Sequence, residues 1–366
     1  LNKLNEDHLI SEIDRLISDK KKLLSIQKKT YNSFYLSDEY VAKLIDRTRS
    51  KHLIKLNYIN KNKILKIIHI TNFNERYDGR LHYNTSKRIN NGFIRNGHNV
   101  LSISDRDIIS YSRNFKDPTG NNTLQKKIKN NIINFKPDLI VLGHADSVSI
   151  ETIDYAKSNN IKISQWFLDP IAVNTPDFMK NRKRLLDKNK IVDTTFTTTD
   201  PDALNIHLKN SYYIPNPSDP SFEILNNYQN KCEKDLFFAM SHGVHRGVLK
   251  KGKFDEREIF IDKLRKLTPN VKYDLYGMNN NQPVWADNFI NKISKAKMGI
   301  NLSQGKAVKY YSSDRFAQLI GNGLLVFVDE RSKFTNFLNK NEIVTYKNLE
   351  DLAKKIIKFN KNDKLR

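Results

Sequence analysis

From residue 63 onward, short apolar runs alternate with longer polar stretches of helical character, and the series occurs twice in tandem. Strands separated by a helix each time must run parallel, because each connection crosses back over the sheet before the next strand begins. The first series places strands at 64–71, 99–104, 138–143, 162–167 and 194–199. The second places them at 236–240, 273–276, 298–302 and 324–328, with a last helix from 349 to about 359. Between the two lies Tyr212-Tyr213-Ile214-Pro215-Asn216-Pro217-Ser218-Asp219-Pro220, where three prolines with Asn and Asp mark an irregular crossing segment. The expected fold class is α/β, with two Rossmann-like domains facing each other across a cleft, 63–215 and 216–366.

Residues 1–62 form a separate part. Leu9, Ile13, Leu16 and Ile17 recur at three-to-four spacing and Leu23, Leu24 and Ile26 continue the stripe, which predicts an N-terminal helical arm. Its lysines Lys20, Lys21, Lys22, Lys28 and Lys29 suit a solvated helix face or a peripheral contact with a partner or an anionic membrane.

The formal net charge of +23 calls for an anionic partner, unless it only reflects a base composition that favours Lys, Asn and Ile. Nucleic acid, acidic lipid, polyanionic glycan and phosphorylated donors all qualify. No helix-turn-helix, zinc-finger or RRM signature accompanies the charge, which is spread along the chain, so nucleic acid is the weaker reading. The lone Cys232 rules out an internal disulfide framework and multi-cysteine metal sites, and fits a cytoplasmic location, at most at the inner face of a membrane. No apolar stretch reaches the ~20 residues of a membrane span. A Gly-x-Gly-x-x-Gly after the opening strand and a P-loop are both missing, which weakens dinucleotide oxidoreductase and P-loop NTPase readings.

Ligands of doubly wound domains bind beyond the carboxyl ends of the strands, so the residues that follow each strand carry the candidate chemistry. In the second half these are Ser241-His242-Gly243-Val244-His245-Arg246-Gly247 with Lys250, Lys251 and Lys253. His242, His245, Arg246 and Lys250 supply donors for phosphate oxygens while the glycines permit close approach; a basic surface loop is the plainer alternative. Tyr310-Tyr311-Ser312-Ser313 precedes a helix, so hydroxyls, free N–H groups and the positive helix end converge there; an ordinary serine N-cap would look the same. In the first half, Glu75, Arg76, Asp78, Arg80, His82 and Tyr83 follow the opening strand and suit sugar hydroxyls. Two further strands end in His144-Ala145-Asp146 and Asp169-Pro170. Asp146 and Asp169, with His144 beside them, are the candidate base or nucleophile, or else acids capping the next helices. Asp105-Arg106-Asp107 and Asp200-Pro201-Asp202 imitate an Asp-x-Asp metal site but read as acids at helix starts, with Asp200 a reserve nucleophile.

The stretch Asn301-Leu302-Ser303, the block Arg315-Phe316-Ala317-Gln318-Leu319-Ile320-Gly321-Asn322-Gly323-Leu324-Leu325-Val326 and Glu350-Asp351-Leu352-Ala353 together resemble the donor domain of GT-B glycosyltransferases. The likeness is to their group-1-related, spore-maturation-protein-like branch, and Ile214-Pro215-Asn216-Pro217 with Asp219 is similar to the interdomain crossing of those enzymes. It implies a metal-independent glycosyltransferase without a resident cofactor, whose nucleotide-sugar donor meets Asn301, Ser303, Tyr310, Ser312, Ser313, Arg315 and Gln318. Gln318 stands where that block usually carries a ribose-gripping glutamate. With the basic loop and the Ser-Ser pair, this resembles bacterial transferases that use CMP-Kdo to build lipopolysaccharide, O-antigen or capsule on a glycan or lipid-linked acceptor. Donors of the UDP- or GDP-hexose type, a basic nucleic-acid-binding protein and a catalytically dead sugar-binding module are the alternatives.

Overall fold

The structure is a computed structural model that describes residues 6–30, 64–171, 177–241, 255–339 and 341–366. It divides into two compact units, Leu1–Asn57 and Tyr58–Arg366. In the first, helix α1 (Glu6–Ser18) ends at Asp19, whose carboxylate accepts the Lys22 amide at 3.0 Å and so caps a second helical stretch, residues 20–30.

The second unit contains two parallel-sheet α/β domains, as the two strand series lead one to expect. The first sheet is built from β1 (Lys66–Thr71), β2 (Asn99–Ser104), β3 (Leu139–Gly143), β4 (Lys162–Phe167), β5 (Thr194–Thr197) and β6 (Ser211–Tyr213), in the order β2-β1-β3-β4-β5-β6. Helices α2 (Thr85–Arg95), α3 (Asp105–Ser112), α4 (Asn121–Phe135), α5 (Ile150–Ser158) and α6 (Phe178–Asn189) connect them. The second sheet is built from β7 (Lys234–Ala239), β8 (Tyr273–Tyr276), β9 (Ala296–Asn301), β10 (Leu325–Asp329) and β11 (Val344–Tyr346), in the order β11-β10-β9-β7-β8. Its helices are α7 (Glu256–Leu267), α8 (Ala286–Ile293), α9 (Asp314–Gly321) and α10 (Leu349–Asn360). Both sheets thus repeat one plan: the first strand lies between the second and the third, so the chain reverses direction across the sheet beside β1 in one domain and beside β7 in the other. That reversal opens a crevice at the carboxyl ends of β1 and β3, and of β7 and β9.

The strands are apolar on both faces because helices cover both. In β1, Ile68 and Ile70 join Leu124, Ile128, Ile132 and Ile153 on one face, while Ile67 packs with Val141 and Trp166 on the other. Each fully buried Ile contributes about 1.5–3 kcal/mol of transfer free energy. Two glycines stand where nothing larger fits: a Cβ on Gly143, at the end of β3, would lie 2.1 Å from the Trp166 ring, and one on Gly277 would lie 1.6 Å from Met240 O. Both therefore hold close approaches at crevice edges. The short edge strands β6 and β11, three residues each, are not apparent from the sequence.

The segment between the sheets lashes them together. Asp219, almost fully buried, accepts from Asn91 and pairs with Arg95 at 2.8 Å, both on α2. Arg88 of α2 forms a buried ion pair with Glu223. Asn216 donates to Ser312 O at 2.8 Å, just before α9.

Candidate active site

In the first domain, the loop after β1 is held by Asp107 of α3. Its carboxylate accepts the Glu75 amide at 2.8 Å and pairs with the Arg76 guanidinium. Asp105 and Asp107 stand in the first turn of α3, and Asp200 accepts the Asp202 amide at the start of a 3-10 turn, so both Asp-x-Asp imitations are acids at helix starts. Asp200 also pairs with Lys309 at 2.5 Å. Glu75, Asp78 and His82 are exposed, whereas Arg80 and Tyr83 turn into a cavity.

At the ends of β3 and β4 a single guanidinium collects three candidate side chains. Arg184 of α6 donates through Nε and Nη2 to the two oxygens of Asp146 (2.9 and 2.7 Å) and through Nη1 to Asp169 Oδ2 (2.9 Å). Its Nη2 also lies 2.7 Å from His144 Nδ1. Arg106 adds a second pair to Asp146 at 2.7 Å. Burial alone would raise the Asp146 carboxyl, but Arg184, Lys188 and Arg106 outweigh it and hold the group below the usual carboxylate range. His144 has a left-handed backbone (φ 55°), stacks on Phe167 at 4.7 Å and accepts the Leu168 amide at Nε2. Burial lowers its pKa to about 4, so it is neutral at physiological pH. Neither carboxylate caps a helix: α5 starts after Ser149, whose hydroxyl accepts the Thr152 amide, and α6 starts after Asp177.

Beneath this cluster lie two groups that residue order does not reveal. Lys188 donates to Ala145 O, and burial lowers its pKa to about 8. Asp105 is fully buried, both its oxygens lack a hydrogen-bond partner among the described residues, and burial raises its pKa to about 6.

The second domain's crevice has another character. Arg315, on the first turn of α9, is buried and donates Nε to Ala239 O (2.9 Å) and Nη1 to Leu302 O (3.0 Å), joining the ends of β7 and β9. Among the described residues no carboxylate lies within ion-pair distance of it, and burial, with Arg257 nearby, lowers its pKa to about 10. Ser313 occupies the N-cap position of α9, yet its hydroxyl makes no cap bond; it lies 3.5 Å from Asn301 Oδ1 and 3.4 Å from Arg315 Nη1. Ser312 is buried against Asn216, and the Tyr310 hydroxyl accepts from Asn336 at 2.7 Å. Asn301 and Ser303 line a cavity of about 390 Å³ with Arg257, Tyr311 and Arg331, and the Ser303 hydroxyl is buried there without a partner among the described residues. His242, His245, Arg246 and Lys250 lie outside the described residues.

Two places bring the domains together. Arg80 and Tyr83 share a cavity of about 260 Å³ with Trp285, Arg315 and Gln318. Gln304, which follows β9, lines both the Asn301–Ser303 cavity and the larger one that holds His144, Asp146, Asp169 and Arg184. Tyr311 lines the former, and after burial the charge of Asp169 is the largest influence that raises its hydroxyl pKa. Arg184 and Gln304 were not singled out from the sequence, and Tyr311 entered only as a member of the Tyr310–Ser313 cluster. The only available signal was positional: Gln304 follows directly on Asn301 and Ser303 at a strand end.

The class of protein follows from the second domain. Residues 256–366 match the family model described as glycosyl transferase-like. The enzyme is thereby a transferase of the glycosyltransferase class, on the two-domain parallel-sheet fold that the GT-B resemblance implied. Among solved structures it is similar to Anabaena HepE in complex with UDP and glucose: 10% identity, covering 82% of this chain and 91% of that one, TM-score 0.48. An α1,3-fucosyltransferase is 9% identical over 84% and 82% of the two chains, with a TM-score of 0.43. A UDP-N-acetylglucosamine 2-epimerase is 11% identical over 83% and 90%, with a TM-score of 0.39. A comparison with curated proteins gives no match.

Proposed function

We propose that the enzyme moves a sugar from a nucleotide-sugar bound on the second domain (216–366) to a glycan or lipid-linked saccharide bound on the first (63–215). The observation that carries this reading is the position of Gln304 and Tyr311, which link the Asn301–Ser303 cavity to the carboxylate cluster at the ends of β3 and β4. A donor lying along Asn301, Ser303 and Ser313 would present its anomeric carbon toward Asp169. Arg315 supplies an unneutralised buried positive charge beside the leaving phosphate, with the N-terminus of α9 adding to it.

Of the two carboxylates, the acting role is assigned to Asp169. Both oxygens of Asp146 are bonded to guanidinium groups, whereas Asp169 is bonded among the described residues only through Oδ2 and is 41% exposed. Asp169 either takes the proton of the acceptor hydroxyl, which then attacks the anomeric carbon as the phosphate leaves, or attacks that carbon itself. His144, with its Nε2 bonded to the Leu168 amide, acts as a positioning group.

The finer donor assignment is CMP-Kdo, for growth of a surface polysaccharide. It rests on Gln318 in place of the glutamate and on the basic segment from His242 to Lys250, which suits a carboxylate carried on one phosphate. The deciding experiment is thermal stabilisation by CMP, UDP, GDP and ADP, with and without EDTA. A nucleotide at ~100 times its Kd adds about 2.7 kcal/mol. A chelator-resistant shift with CMP supports the full reading. A shift with UDP or GDP keeps the transferase and removes Kdo, and no shift with any nucleotide removes the donor site.

A further inference from the structure

Lys188 lies beneath the carboxylate cluster and takes no part in the transfer described above. It stands one helical turn after Arg184 on α6, so both cations leave the same face of that helix. Arg184 bonds to the side chains of His144 and Asp146, whereas Lys188 donates to the main chain between them, at Ala145 O. The same oxygen accepts the Val148 amide at 3.1 Å, so the lysine fills its remaining lone pair. This turn needs a fixed point, because the left-handed backbone of His144 (φ 55°) is one that a residue with a Cβ adopts only when its surroundings impose it. The ammonium is surrounded by charge. Asp105 and Arg106 act on it from α3, Asp146 from the end of β3 and Arg184 from its own helix. Both oxygens of Asp146 are taken up by Arg184 and Arg106. Asp105, fully buried, bonds to no side chain among the described residues and so acts on these cations through its charge.

We propose that Lys188 is a positioning residue for sugar transfer: bonded to Ala145 O, its ammonium fixes the turn from His144 to Asp146, and Asp105 keeps that ammonium charged. The turn determines where Arg184 is held, and Arg184 carries Asp169. Loss of Lys188 therefore displaces the acting carboxylate and leaves the crevice of the second domain untouched. The assignment rests on the transfer reaction proposed above, so its test includes one measurement that needs no turnover.

That measurement is NMR of ring-labelled histidine on the full chain, with His144 assigned from a His144→Gln variant. The pKa of His144, about 4 while the ring is buried, should rise toward the ordinary 6.5 in Lys188→Met and stay near 4 in Lys188→Arg, which keeps the charge. The second measurement is kcat against pH, with the nucleotide-sugar whose nucleotide stabilises the protein. Lys188→Met should lower kcat about tenfold with the donor KM unchanged, and Lys188→Arg should restore most of the loss. Wild-type kcat should fall above about pH 8 as the ammonium loses its proton, a limb that Lys188→Arg removes and Asp105→Asn moves to lower pH. A Lys188→Met protein with unchanged kcat and His144 titration, or a limb near pH 8 that survives Lys188→Arg, would overturn the proposal. A limb unmoved by Asp105→Asn would overturn the part given to Asp105. Should no nucleotide stabilise the wild-type protein, the transfer reading fails by itself, and the His144 titration alone upholds or overturns the hold of Lys188 on the turn.

Discussion

The two sheet domains share one strand plan, yet their crevices are electrostatic opposites. At the ends of β3 and β4, charges are matched: Asp146 and Asp169 against Arg184 and Arg106, with Lys188 beneath them. At the ends of β7 and β9, Arg315 meets only carbonyl and hydroxyl oxygens among the described residues, and the Ser303 hydroxyl has no partner there. A balanced network fixes ionised carboxylates in place without attracting a large charge. A buried cation without a carboxylate partner is unfavourable when empty and is relieved by an anion. Identical topology therefore carries two electrostatically different crevices, and the division lies in side chains at strand ends.

The largest expected effect breaks the balanced side. Arg184→Met leaves Asp146 and Asp169 facing each other without their shared cation, and should lower turnover at least ~100-fold and stability by about 2 kcal/mol, read from kcat and a urea melt. Asp169→Asn should match the loss of turnover with much less loss of stability; if Asp146→Asn alone abolishes turnover, Asp169 is not the acting carboxylate. On the other side, Arg315→Met leaves Ala239 O and Leu302 O unpaired at a cost of about 1–3 kcal/mol. It should also abolish the stabilisation by nucleotide, which calorimetric titration would check.

Acid should separate the two domains. His69 and His144 are both buried and neutral with pKa values near 4, below the ordinary 6.5 of the unfolded chain. The unfolded state therefore binds more protons, and their contribution is complete above about pH 6.5 and lost as pH falls toward 4. Asp105, raised to about 6, works in the opposite sense between pH 4 and 6 and softens the loss. The two histidines of the second domain, His242 and His245, lie outside the described residues, so the expectation rests on His69 and His144. Hydrogen exchange at pH 5 should open β1 and β3 before β7 and β9, and simultaneous opening would refute this. The smallest effect belongs to Ser303→Ala: stability unchanged, since the hydroxyl has no bond to lose among the described residues, and nucleotide affinity down by about tenfold.

Much of the fold was legible because parallel strands buried on both faces are read from continuous apolar runs. The strands 99–104, 162–167 and 273–276 agree with the structure to the residue. Strands β6 and β11 were not legible, since three residues at a sheet edge, most of them at least partly exposed, carry too little apolar signal. At the site, Asp146, Asp169, Asn301 and Ser303 could be singled out because strand ends are the places where such sheets bind ligands. Arg184 could not: it is one of three basic residues in the run Arg182-Lys183-Arg184, and its periodicity marks only a helix face.

Sequence by itself determined the two βα series, the crossing between them, the apolar helical stripe of the arm and the side chains that follow each strand. These are local quantities, set by burial period and turn chemistry. Only the tertiary structure decided that Arg184 would collect both carboxylates and a histidine, that Arg315 would spend its hydrogen bonds on carbonyls, and that Gln304 would border both cavities. Those outcomes depend on distances between residues far apart in the chain, which the closing of each sheet brings within reach and no local pattern encodes.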